Sequence, residues 1–292
     1  MPKPRFLCLG FGYVAAAFAR ARLAPDYVVA GTTRSVDRVD ELGVADVAPF
    51  LWKDDGIDPA AFDDVEAALV SVPPTAEGCP AFAAAKKALA DRARSLKWVG
   101  YLSTNGVYGD HGGAWVDEAS PLRPTGDRAR WRIRAEADWA AFGVEHAVPV
   151  VVLRLPGIYG PGRSAIDSLR AGTAKRIDKP GQVFSRAHVD DIAAVVGASL
   201  ANPGAGDLFN VADDEPAPPQ DVVAYAAELL GVAPPRLVPF DEAELSEMAR
   251  SFYADNKRVS NGRMKSALGV SLRYPTYREG LRAIFAGEGA AA

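Results

Sequence analysis

The first 160 residues alternate short apolar runs with stretches of helical composition. Arg5–Leu9 predicts a buried strand, Gly10–Gly12 a turn, and Tyr13–Leu23 an Ala-rich helix. Further strands are predicted over Tyr27–Thr32, Val47–Trp52, Ala67–Val72, Trp98–Ser103 and Val148–Leu155. Pro73-Pro74 stops the strand at Ala67–Val72, because proline cannot donate to a ladder. Ala81–Ser95 and Asp127–Phe142 have helical composition. Strands that are apolar on both faces and alternate with helices predict an α/β fold, a doubly wound parallel sheet covered on both sides.

Beyond residue 160 the pattern is less regular. Ser164–Pro180 reads as short, polar and basic. A helix is predicted over Val189–Leu200, its start marked by Asp190-Asp191, followed by a short strand at Leu208–Val211. Gln220–Leu230 predicts a helix closed by Gly231, a C-cap residue. The tail GEGAAA is expected to fray.

Composition narrows the classes. Of 292 residues, 49% are hydrophobic and 24% charged, the balance of a globular protein and not of a disordered one. A net charge of −4 argues against nonspecific binding to nucleic acid or to anionic membranes. Cys8 and Cys79 are far apart, which excludes a disulfide framework and suits a reducing compartment. No residues stand at metal-ligand spacing, so no metal is expected. No apolar run reaches the roughly 18 residues of a membrane span. The start, MPKP into FLCLG, is too short for a signal peptide, so a cytoplasmic location is expected.

Gly10-Phe11-Gly12-Tyr13-Val14-Ala15 fits G-x-G-x-x-A at the first strand–helix junction. There Gly10 permits a tight turn, Gly12 lets backbone approach a pyrophosphate, and Ala15 keeps helix and strand close. The N–H groups of the helix start would face the phosphates. The end of the second strand selects the cofactor. A ribose 2′-hydroxyl wants an acid roughly 20 residues past the glycines. This chain has Gly31-Thr32-Thr33-Arg34-Ser35 instead, and Arg34 with Ser35 suits a phosphate. NADP(H) is therefore expected over NAD(H).

Four later segments resemble one family. Leu102-Ser103-Thr104-Asn105-Gly106-Val107-Tyr108-Gly109-Asp110 is similar to S-[ST]-x-x-V-Y-G, and Arg154 to Arg163 to R-x-x-x-x-Y-G-P-G. His188-Val189-Asp190-Asp191-Ile192-Ala193 resembles H-V-x-D-[LIV]-A, and Phe209-Asn210-Val211 resembles [FY]-N-[VI]. Together they resemble the atypical, extended short-chain dehydrogenases/reductases, the NAD(P)-dependent epimerase/dehydratase-like group. The resemblance implies a Rossmann-like sheet over residues 1–163, completed by about 186–212. It implies a smaller substrate lobe from 164–185 and 213–292. It further implies that Ser103 and Val72-Pro73-Pro74 line the cofactor cleft, that Pro156-Gly157-Ile158 lies near the nicotinamide, and that a small-molecule substrate meets Tyr159, Arg163 and Arg186. Gly157 stands where many members have Asn. Relatives often dimerise through the fourth helix, so a homodimer is compatible. In this chain Trp131, Ala135, Trp139 and Phe142 recur on one face of that helix, as core or as a dimer face.

Members that move hydride use a Ser/Thr, a Tyr and a Lys, the last two as Y-x-x-x-K. Here Thr104 takes the Ser/Thr position. Glu136 registers the helix and places Arg128 on the Tyr position and Arg132 on the Lys position. Arginine, with a pKa above about 12, is a poor proton shuttle. Either another group (Tyr108, Asp110, Tyr159 or His188) supplies the proton, or the two arginines bind an anionic substrate, or the protein binds NADP(H) as a regulator or sensor without turnover. Ordinary alternatives stand beside each: Tyr108 as core, Asp110 as a turn cap, Cys79 as a small buried hydrophobe, Arg132 paired with Glu136. The expected activity is oxidoreductase or epimerase/dehydratase chemistry on a small oxygenated substrate, possible classes being an anion or a sugar nucleotide.

Overall fold

The computed structural model describes every residue except 1, 2, 22, 23, 45, 55 and 290–292. Its centre is an eight-stranded sheet: β1 (Arg5–Leu9), β2 (Val28–Thr33), β3 (Ala48–Lys53), β4 (Gly56–Ile57), β5 (Val65–Val70), β6 (Trp98–Thr104), β7 (Val150–Leu155) and β8 (Leu208–Asn210). The order is β8-β7-β6-β5-β1-β2-β3-β4, parallel throughout except for the β3–β4 pair. The chain runs outward from β1 through β2 and β3, then returns to β5 on the other side. That reversal opens a crevice beyond the carboxyl ends of β1 and β5, where ligands bind in such sheets.

Helices cover both faces: α1 (Tyr13–Arg20), α2 (Asp37–Val44), α3 (Pro80–Ala90), α4 (Asp127–His146), α5 (Ala165–Arg170), α6 (Val189–Ala201), α7 (Pro219–Leu230), α8 (Glu247–Phe252), α9 (Gly262–Leu268) and α10 (Tyr277–Gly289). Side chains of β1 alternate between two cores. Phe6 and Cys8 join Phe18, Trp98, Ile192 and Phe209 on one face, while Leu7 and Leu9 join Tyr101, Trp139 and Phe142 on the other. The Phe6 ring stacks 4.6 Å from Phe18 and 6.0 Å from Trp98.

Several boundaries move for identifiable reasons. The helix expected over Tyr13–Leu23 ends at Arg20, ahead of Ala24-Pro25, where a residue before proline avoids helical backbone; Leu23 itself lies outside the described residues. α4 runs past Phe142 to His146 because Gly143 fits where a Cβ would meet Val148 O at 2.9 Å, and Ala147 closes it in left-handed backbone, φ 54. Its apolar stripe is used inside the subunit: Ala135, Trp139 and Phe142 are buried, with Trp139 edge-on to Phe82 of α3 at 5.0 Å. The stretch Ser164–Pro180 is no plain loop. It contains α5, begun by a reciprocal Ser164–Asp167 capping box, and a strand, Arg176–Asp178, paired with Leu237–Pro239. In the tail, α10 continues through Gly289, and residues 290–292 lie outside the described residues.

α5, α7 and α10 form the lobe, packed on Tyr159, Ile166, Val222, Tyr277 and Leu281. Gly157–Tyr159 pairs with Arg186–His188 and joins lobe to sheet. Among the described residues no helix is long and apolar enough to cross a membrane.

Candidate active site

The glycine loop leaves β1 with Gly10 at φ +86, and a Cβ there would sit 2.7 Å from Val72 Cγ2. The Gly10 and Phe11 N–H groups donate to the Thr32 hydroxyl (2.7 Å) and carbonyl (3.0 Å), fixing the loop to β2. Gly12 opens α1 and has open space where a Cβ would point. No side chain caps α1 and its first turn carries no acid, so its leading N–H groups and positive dipole end face the crevice. Phe11 and Val14, expected at the cofactor, direct their side chains into the core; Phe11 lies against Gly31, where a Cβ would meet its ring. Any cofactor contact from these two is through backbone. Tyr13 is half-buried and donates to Pro161 O at 2.9 Å. Of the proline turn, Val72 is half-buried, Pro73 exposed and Pro74 buried.

Arg34 is exposed just past β2. The Ser35 N–H donates to Thr33 Oγ1 at 3.2 Å. Arg38, in the first turn of α2, donates from Nη2 to Phe11 O at 3.0 Å, so a second guanidinium borders the glycine loop. Sequence reasoning missed Arg38; its place four residues after Arg34 at a helix start was the available signal.

A buried polar network ties β6, α4, β7 and β8 together. Arg154 grips Glu136 with two bonds, Nε to Oε1 at 3.1 Å and Nη2 to Oε2 at 2.7 Å. Ser103 donates to Glu136 Oε1. Arg154 Nη1 donates to the Tyr108 hydroxyl at 3.0 Å, and that hydroxyl donates to Asn210 Oδ1 at 2.8 Å. The Asn210 N–H meets Glu118 Oε1 at 2.7 Å. Three expectations are corrected here. Tyr108 is 0% exposed with its hydroxyl engaged on both sides, so it has no face for a substrate. Ser103, also buried, is turned to Glu136 rather than to the cleft. Glu136 pairs with Arg154, not with Arg132.

At the carboxyl end of β6, Thr104 is half-buried and accepts the Gly106 N–H at 3.1 Å, leaving its hydroxyl proton to donate. Arg132 turns back onto β6, donating to Leu102 O at 2.7 Å and Tyr101 Oη at 3.2 Å. Burial pushes the Tyr101 hydroxyl up to about 12, against the pull of Arg132. Arg128 is exposed on the first turn of α4. Asp110 accepts the N–H groups of Gly112 (3.1 Å) and Asn256 (2.8 Å), bonds that hold its carboxyl below the usual range and make it a turn anchor. His188 is buried and its Nδ1 accepts the Asp190 N–H; desolvation lowers it to about 4. It is a neutral helix cap. Cys79 is buried.

On the lobe side, Gly160 and Arg163 close a tight turn through mutual backbone bonds, and the Arg163 guanidinium lies 5.8 Å from the Tyr13 ring, beside the glycine loop. Tyr159 is nearly buried, and burial raises its hydroxyl pKa. Arg186 lies beside Gly157 in register and lines, with Tyr159, a cavity of about 580 Å³ between α5, α7 and α10. Asp213 follows β8, is 2% exposed, and neither carboxylate oxygen has a hydrogen-bond partner. Desolvation pushes it up to about 8, against the nearby Arg186 charge. Sequence reading gave Asp213 no role.

A pH signature follows from Asp213. The folded protein keeps a proton that an ordinary carboxylate, at 3.8, has lost. Folding stability therefore falls as pH rises from about 4 to about 8, and levels above that. Asp213→Asn removes this loss, so its gain over wild type is absent near pH 4 and full above pH 8, at most about 6 kcal/mol. Urea unfolding at pH 5 and pH 9 checks it; an equal effect at both would contradict the assignment.

Comparisons now bear on this geometry. A conserved protein of unknown function from Silicibacter pomeroyi DSS is 48% identical and superposes with TM-score 0.90 over 98% of this chain and 99% of its own. A sequence model of the NAD dependent epimerase/dehydratase family matches residues 83–212, from α3 through the N-V-A turn after β8. Over that stretch the chain is similar to the NAD-dependent epimerase/dehydratase family. The 3-diazoavenalumate denitrifying reductase of a Streptomyces species is 30% identical over 179 residues, which span 57% of this chain and 58% of that relative. UDP-glucuronic acid 4-epimerase from Bacillus cereus, solved with NAD, shares the fold at 16% identity, TM-score 0.75, over 97% of this chain and 96% of its own. The phosphates of a dinucleotide would lie in the crevice beside Gly10 and Gly12. Gly12 with its open approach and the uncapped start of α1 fit the pyrophosphate.

Proposed function

We propose that this protein is an NADP(H)-dependent oxidoreductase of the epimerase/dehydratase type acting on a small anionic substrate. The observation that carries the reading is the end of β2: an exposed Arg34, a second guanidinium from Arg38 beside the glycine loop, and no acid from Gly31 to Val36. That arrangement suits a 2′-phosphate and leaves a 2′-hydroxyl without its acceptor. Thr104 orients the substrate oxygen with its remaining hydroxyl proton. Arg132, fixed on Leu102 O, positions the end of β6, and the position of Arg163 beside the Tyr13 ring supports a role at the cofactor phosphates from the lobe side. The bound nicotinamide supplies hydride chemistry. With arginine at both motif positions and Tyr108 sealed, the balancing proton comes from solvent. Similarity to a reductase supports reduction as the direction.

The test is mole-for-mole product formation with NADPH oxidation across small carbonyl and unsaturated acids. Turnover with at least one, lost by Arg34→Ala at low NADPH, is the expected result. Tight NADPH binding without turnover across the panel supports the regulator reading in its place.

A further inference from the structure

Arg186 lines the lobe cavity without an ion-pair partner among the described residues. Arg186 Nη1 donates to Phe184 O at 2.8 Å and Ala217 O at 3.1 Å. Among the described residues, its Nε and Nη2 meet no acceptor, and no carboxylate lies within ion-pair distance of the guanidinium. Asp213 is the acid nearest in influence, but among the described residues it makes no ion pair with the guanidinium, and burial raises its pKa. The two carbonyl bonds of Nη1 tie Phe184 to Ala217, and the Nε–Nη2 edge takes no part in that tie. The other polar groups of the wall are engaged. Ser164 and Ser168 donate to Asp167 and to Ser164 O, and Thr173 donates to Ser168 O. The opposite wall is apolar, with Val222, Tyr277 and Leu281.

We propose that this cavity holds a small organic carboxylate with an apolar body, gripped side-on by Arg186 Nε and Nη2. The edge presented by these two nitrogens is planar and two-pronged, which matches the two oxygens of a carboxylate. A volume of about 580 Å³ with the Arg186 edge beside the apolar Val222, Val223 and Leu281 is the make-up of a small-ligand site. A nucleoside diphosphate would face the carboxylate of Asp167, which lines the cavity together with Arg163. The cavity adjoins the glycine loop through Arg163. Gly162 and Arg163 adjoin Tyr13, and Arg186 is registered on Gly157. This proposal rests on the reading of the lobe as the substrate side.

The experiment is calorimetric titration at pH 7, with and without saturating NADPH, using 3-phenylpropionate, its neutral amide 3-phenylpropanamide, and UDP-glucuronate. Saturable one-to-one binding of the acid is expected, with the amide weaker by about tenfold or more, the loss of one charge-assisted pair. Arg186→Gln is expected to lower acid affinity by about tenfold while NADPH affinity stays within about twofold, which also shows that it folds. Val223→Phe, which narrows the cavity without touching Arg186, is expected to weaken the acid as well. No saturable acid binding, equal binding of acid and amide, tighter binding of UDP-glucuronate, or an unaffected Arg186→Gln would each overturn the proposal. Acid binding by a protein that fails to bind NADPH would keep the cavity assignment and remove the cofactor reading instead.

Discussion

Arg34→Ala is expected to weaken NADPH binding by about ten- to a hundredfold and to leave NADH binding nearly unchanged. A hydrogen bond to a charged group contributes roughly 1.5–3 kcal/mol, which sets that range. The effect is specific because Arg34 is exposed past the end of β2 and no shift in the loop is needed to lose it. Arg38 behaves differently. It also bonds Phe11 O, so Arg38→Ala disturbs the glycine loop and weakens both cofactors, NADPH more. Fluorescence titration of both dinucleotides against wild type and the two variants separates these effects. Equal wild-type affinity for NADH and NADPH would contradict the NADP(H) assignment.

Glu136→Ala is expected to cost about 3–5 kcal/mol of stability. The Arg154 side chain is 5% and that of Glu136 10% exposed, so removing the carboxylate leaves a guanidinium buried and unpaired. It also strips the acceptor from Ser103 and loosens the Arg154–Tyr108–Asn210 chain that joins β7 to β8. Replacing both members with apolar residues, Glu136→Leu with Arg154→Met, is expected to recover much of the loss, since well-packed apolar pairs often match a buried ion pair. Urea denaturation of the three variants measures it. A Glu136→Ala protein within about 1 kcal/mol of wild type would show that the pair is not the clamp described.

This network explains what the sequence made legible and what it hid. Glu136 was readable as a register mark, and it fixed Arg128 and Arg132 at the motif positions. Its actual partner, Arg154, lies 18 residues away on another strand, and local spacing pointed to Arg132 instead. The sheet was readable because its strands are short apolar runs, bounded by Gly and Pro and alternating with helical stretches. The lobe was harder, since its elements are short and amphipathic. Even so, Thr276-x-x-Glu279, whose Glu279 accepts the Thr276 N–H at 3.1 Å, and Ser164-x-x-Asp167 carried capping signals for α10 and α5. Leu281 and Ile284, after Tyr277, mark the buried face of α10 at helical spacing. Tyr108 misled because a V-Y-G tyrosine beside the motif threonine looks chemical in one dimension. Only the packing of Asn210 and Arg154 around its hydroxyl shows that it is structural. Asp213 gave no local sign at all, because its unpartnered burial comes from the sheet edge and the lobe closing together.

Hydride transfer from NADPH is proposed for a site with arginine at both motif positions. Single-turnover reactions with NADPH deuterated at C4, one face at a time, test it most directly, with mass spectrometry of the product. Deuterium from one face alone is expected in the product, with the accompanying proton drawn from solvent. Oxidation of neither labelled cofactor in the presence of a bound acid would contradict it, as would product formed with no label from either face.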